Sequence, residues 1–162
     1  MIMSFSAPAR RKPSPPSSIP EAEVTCDSLR SALRNVFFNA EIDEDGDLCV
    51  TDGLKWPIWI KLDREARVVE LHSHIEFAPE NMQSLGAIAN RCNATYCYAQ
   101  FYAKSSKDRV YAFAFHFYDD MILLKQFERQ TRYFASTVYE AAYDELLVPT
   151  VGEERSQVIN LY

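Results

Sequence analysis

The clearest signal in the chain is an alternation. From Leu54 to Leu62, Trp56, Ile58, Ile60 and Leu62 alternate with Lys55, Trp59 and Lys61, the period of a half-buried strand. Pro57 offers no N–H to a ladder, which predicts an edge or a bulge there. Asp63–Ala66 is a hairpin-length loop. Val69, Leu71, Ser73, Ile75 and Phe77 then alternate with Glu70, His72, His74 and Glu76 as the second arm of a meander. Upstream, Ala40–Ile42 and Leu48–Val50 are short extended runs flanking a turn at Asp45-Gly46-Asp47. Before them, Thr25 or Asp27 caps a helix whose Leu29, Leu33, Val36 and Phe37 recur at spacings of three and four. Pro79-Glu80-Asn81 opens a second helix with Met82, Leu85, Ile88 or Ala89, and Cys92 as its stripe. Two apolar runs follow, Tyr96–Ala103 and Val110–Tyr118. In the second, Tyr111, Phe113, Phe115 and Phe117 fall on one face, and Ala112, Ala114 and His116 on the other. The bulky rings are expected inside, with Phe113 and Phe115 against Phe127 and Phe134 of a last helix spanning about 122–146. The predicted order is α-β-β-β-α-β-β-α. This is an α+β fold with a predominantly antiparallel five-stranded sheet and its helices on one face.

The two ends break the pattern. Residues 1–22 hold five of the 8 prolines and few large apolar groups, so they read as a disordered Pro/Ser-rich tail. Residues 148–162 read as an irregular C-terminal tail, which leaves 23–147 as one α+β domain. No run reaches the ~18–20 apolar residues of a membrane span. The formal charge of -6 gives no general attraction to nucleic acid or anionic lipid. Only 4 glycines remain for phosphate-cradling loops. The 4 cysteines, at 26, 49, 92 and 97, form no CxxC. With no signal-peptide pattern they read as reduced thiols of a cytoplasmic protein.

Candidate chemistry is sparse. Asp43-Glu44-Asp45-Gly46-Asp47 starts like a calcium loop, but Leu48 and Leu54 stand where the turn Gly and bidentate Glu belong. His72 and His74 share a strand face, as zinc ligands can, but a catalytic zinc needs a third protein ligand; the competing reading is a solvated stripe with Lys55, Lys61, Glu70 and Glu76. Cys49, Cys92 and Cys97 have no assigned base, Cys92 and Cys97 fall where core positions are expected, and no GxSxG is present. No catalytic residue, metal ligand or cofactor is assigned. The aromatic run could stack single-stranded bases, but the basic residues are scattered and core packing is the expectation. The face opposite the rings, Ala112, Ala114 and His116, is the expected dimer or partner face, because small side chains allow close approach.

One segment carries a family resemblance. Ile88-Ala89-Asn90-Arg91-Cys92-Asn93 ends a helix with an Asn-x-x-Asn pair, followed by Tyr96–Ala103, a polar turn, Arg109–Tyr118 and a helix opened by Asp119-Asp120. This resembles the YbjN-domain family, bacterial proteins described as candidate sensory transduction regulators with a fold similar to type III secretion chaperones. The resemblance covers about residues 24–146. It implies a non-enzymatic, chaperone-like or regulatory module that binds a protein partner or forms a homodimer, with neither nucleic acid nor membrane as partner. The alternative is a small metal-binding protein or enzyme using His72 and His74. Asn90 and Asn93 read as structural residues at a helix end, where Asn tolerates the left-handed conformation.

Overall fold

The computed structural model describes residues 17–36, 38–77, 84–104 and 108–147. The expected helix start at 79–81, Met82, the C-terminal tail 148–162 and all but the end of the N-terminal tail lie outside them.

Three helices pack on one face of a six-stranded, wholly antiparallel sheet. The chain enters through β1 (Ser18–Pro20) and one 3-10 turn at Glu21–Glu23, then α1 (Cys26–Arg34). Four strands follow: β2 (Asn39–Ile42), β3 (Leu48–Asp52), β4 (Ile58–Asp63) and β5 (Val68–Glu76). Next come α2 (Leu85–Thr95), β6 (Gln100–Ala103), β7 (Arg109–Phe117), β8 (Met121–Leu123) and α3 (Leu124–Leu147). The main sheet runs β2-β3-β4-β5-β7-β6, and β1 with β8 makes a separate two-stranded ribbon. The α+β class and the one-sided helices stand. The strand count is corrected from five to eight among the described residues, six of them in the main sheet.

Thr25 caps α1 as expected. Its hydroxyl accepts from the Ser28 N–H at 3.1 Å, and the Ser28 hydroxyl accepts from the Thr25 N–H at 2.9 Å, satisfying two donors at the helix start. Pro57 is corrected: β4 is a central strand, and Pro57 stands just ahead of it. Its carbonyl accepts from the Ser73 hydroxyl at 2.7 Å, which gives that fully buried hydroxyl a partner.

Ordered packing also begins before residue 23. Ile19 is buried and pairs with Ile122, and Val24 is fully buried. One apolar residue among prolines is enough here, because Ile19 meets a strand whose Ile122 is itself fully buried. Pro20 is tolerated on a strand with a single neighbour.

The core lies between sheet and helices. The sheet supplies Leu48, Val50, Ile58, Ile60, Val69, Leu71 and Ile75; α1 supplies Leu29 and Leu33, and α3 supplies Phe127, Phe134 and Val138. A second correction concerns β7. Val110 and Ala112 are fully buried and His116 nearly so, while Phe115 and Phe117 are exposed. The aromatic run therefore points away from the helices, opposite to the expectation, and Ala112, Ala114 and His116 turn toward them. Register is the cause: Val69 pairs with His116, Leu71 with Ala114 and Ser73 with Ala112, and directly paired residues share a face. Small residues there let α3, which contacts β5 and β7, approach the sheet closely. Among the described residues, no helix is long and apolar enough to cross a membrane.

Candidate functional site

The inversion of β7 creates the most unusual surface of the molecule. β4, β5, β7 and β6 all turn side chains onto the face the helices leave open, and the rings there touch in sequence. Trp59 of β4 stacks on His72 and His74 of β5, with centroids 5.9 and 5.3 Å away and planes 21° and 23° apart. His74 meets Tyr111 at 6.1 Å, and Tyr111 stacks on Tyr102 of β6 at 5.2 Å. Tyr102 meets Phe113 edge-on at 5.6 Å. Phe113 meets Phe115 at 5.4 Å, and Phe115 meets Phe117 at 6.1 Å. Eight rings form one stripe along the length of β7. Phe117 is 73% exposed, Tyr102 46% and Phe115 42%. Each full ring offers about 150–250 Å², so these three alone leave on the order of 300 Å² of aromatic surface to solvent. A monomer's largest apolar patch is typically ~300–600 Å² and often functional.

Charge sits around the stripe, mostly in pairs. Lys61 contacts Asp47 at 3.2 Å, and Arg109 contacts Glu76 at 2.8 Å. The histidines are half-buried, and burial holds both below the ordinary value near 6.5. Lys61 adds to this at His72 and Arg109 at His74, while Glu76 opposes it at His74. The Nδ1 of His72 is buried and has no hydrogen-bond partner among the described residues.

The two imidazoles stack on one indole, and the Nε2 of His74 lies 3.5 Å from both Glu76 and Arg109. No group of three His, Cys, Asp or Glu that could hold a metal ion forms among the described residues. The cysteines are free. Burial, with Glu145 second, pushes the Cys92 thiol up to about 11, far from a thiolate nucleophile. Cys49 is also raised, by burial and by Asp43 and Glu41. Cys97, expected in the core, is exposed.

The other sequence-derived positions fall elsewhere. His116 lies beneath the sheet, bonded through Nδ1 to Gln130 and edge-on to Phe127 at 5.4 Å, and burial lowers it as well. It belongs to the core with Ala112 and Ala114, so that trio forms no partner face. Neither Asn90 nor Asn93 adopts a left-handed backbone; among the described residues Arg67 alone does so apart from glycine. Asn93 acts across space. Its Nδ2 donates to the Phe101 carbonyl at 2.8 Å, and its Oδ1 accepts from the Phe101 N–H at 2.7 Å. The side-chain amide thus occupies the outer edge of β6 as a neighbouring strand would. At the opposite edge Arg34 meets a single carbonyl, its Nε donating to Ala40 at 3.0 Å.

All three histidines are lowered, so the pH dependence has a definite sign. Above about pH 6.5 they are neutral in both states. Below it the unfolded chain binds protons that the fold excludes, so stability falls until pH passes the folded values. Urea midpoints should decrease from about pH 6.5 to 5, and the slope should flatten in a His72→Gln/His74→Gln double variant. An unchanged slope in that variant would assign the effect to other groups.

This is an α+β domain with helices on one sheet face and an aromatic stripe on the other, and its fold is YbjN-like. The crystal structure of YbjN, a candidate transcription regulator from E. coli, superposes with a TM-score of 0.62 at 15% sequence identity, covering 76% of this chain and 93% of that one. Neither a family model nor a curated protein matches the sequence.

Proposed function

We propose that this chain is a non-enzymatic regulatory or chaperone-like module that binds polypeptide and works in the cytoplasm as a homodimer. The observation that carries this reading is the uncovered aromatic stripe. Large rings cost little conformational entropy to immobilise and dominate protein interfaces. The regulatory part draws on the fold shared with YbjN. The competing reading, a metal protein or enzyme using His72 and His74, is disfavoured by the stacking of both rings on Trp59. Base stacking would use the same rings, but the charges around them are mainly acidic or already paired.

A photo-crosslinking amino acid at position 115 tests this in the native cell, with the same group at Tyr143, exposed on α3, as control. Polypeptide adducts should form from 115 and be absent from 143. Nucleic-acid adducts from 115, or no adducts, would overturn the proposal.

A further inference from the structure

We propose that the open sheet face takes a linear polypeptide segment with arginine beside apolar anchors, its guanidinium bonding Glu70 while it lies against Phe115. The inference rests on the binding-module reading and names the chemistry of the partner.

The carrying observation is an imbalance of charge around the stripe. In the sheet register Phe115 pairs with Glu70 and Glu70 with Lys61, while Phe117 pairs with Val68 and Val68 with Asp63. Directly paired residues share a face, so both carboxylates stand on the open side beside the rings. The cations flanking the rings are already taken, Lys61 by Asp47 at 3.2 Å and Arg109 by Glu76 at 2.8 Å. Among the described residues neither Glu70 nor Asp63 has an ion-pair partner, and Glu70 is half-buried. Neighbouring strands lie ~4.8 Å apart, which sets Glu70 one strand spacing from Phe115. A planar guanidinium can bond a carboxylate in a two-pronged fork and stack on an aromatic ring at once. An ammonium does only the first, and less well. An anionic segment would meet Glu70 and Asp63 as like charges, and so would a phosphate backbone.

Shape selects a linear segment. From Tyr111 to Phe117 the rings occupy every second position of β7, a length of ~20 Å at ~3.4 Å per residue. A small cation covers a fraction of it, whereas an extended run of ~6–7 residues covers it all. The three most exposed rings leave on the order of 300 Å², well below the ~800 Å² per partner of a standard interface between folded proteins. That area fits a segment.

Fluorescence anisotropy of the full chain with blocked synthetic peptides of about eight residues, at low ionic strength, tests the proposal. One peptide alternates Phe or Leu with Arg, a second has Lys for Arg, and a third has Glu for Arg. The Arg peptide should bind most tightly, the Lys peptide several-fold more weakly, and the Glu peptide at least ~30-fold more weakly. Glu70→Gln should weaken the Arg peptide about tenfold with an unchanged circular dichroism spectrum. Glu140→Gln, at an exposed position of α3, removes the same charge from the helical side and should leave binding intact. Phe117→Ser, at a ring 73% exposed, should also weaken binding, which separates ring contact from attraction to an acidic protein at large. Binding of the Lys or Glu peptide as tightly as the Arg peptide would overturn the proposal. So would no binding of any peptide, or equal losses in Glu70→Gln and Glu140→Gln. In each of these cases polypeptide adducts from position 115 would keep the binding-module reading, and their absence would remove both.

Discussion

Replacing Ala112 by Glu should abolish the native fold. Ala112 is fully buried, between Ser73 of β5 and Phe101 of β6 in the sheet register. Its Cβ points into the layer occupied by the helices. A carboxylate there loses its hydration with no cation assigned to it, at several kcal/mol, and the extra side-chain volume forces further strain of about 1–3 kcal/mol. The total exceeds ~4–5 kcal/mol, a large share of the ~5–15 kcal/mol that holds a domain together. The sequence pattern places this face outward, as a dimer or partner face; the structure turns it inward. Urea titration followed by circular dichroism decides. An Ala112→Glu midpoint equal to that of wild type would show that β7 is facing the other way.

Phe134→Ala should destabilise the domain by about 3–5 kcal/mol. Phe134 and Phe127 are the largest fully buried side chains, and truncation removes both the buried ring and the atoms that filled its space. A close-packed core relaxes only partly around such a void. The same truncation at Phe115 should cost less than about 1 kcal/mol, because that ring is already 42% exposed. Paired chemical-denaturation curves at low protein concentration, where association contributes least, measure the contrast. Equal losses at the two positions would contradict the assignment of faces.

The contrast shows what the sequence could convey. Strands β4 and β5 were legible because polar and apolar residues alternate, so Ile58, Ile60, Leu71 and Ile75 declare the buried side. On β7 neither side is polar, and choosing by size put the rings inside. The deciding fact is the pairing of Ser73 with Ala112, which lies almost forty positions away along the chain and has no local signature. A signal was nonetheless present: Trp59, His72 and His74 share the meander's polar face, an aromatic cluster that solvation alone does not explain. Met121-Ile122-Leu123 read as the start of a helix because three apolar residues have no period of their own; pairing with β1 makes them a strand. Asn93 was visible as part of an Asn-x-x-Asn pair, but its partner at Phe101 becomes apparent only when α2 and β6 are set side by side.

The ribbon of β1 and β8 has a consequence for how the protein is made. Ser18–Pro20 pairs with Met121–Leu123, more than 100 positions later. During synthesis the N-terminal strand leaves the ribosome long before its partner exists, and Ile19 stays uncovered until Ile122 follows it out. Contacts between such distant segments form late and slow folding. The core therefore closes only after residues 121–123 have emerged, and a chain stalled before residue 121 would display Ile19 as a hydrophobic mark of incompleteness.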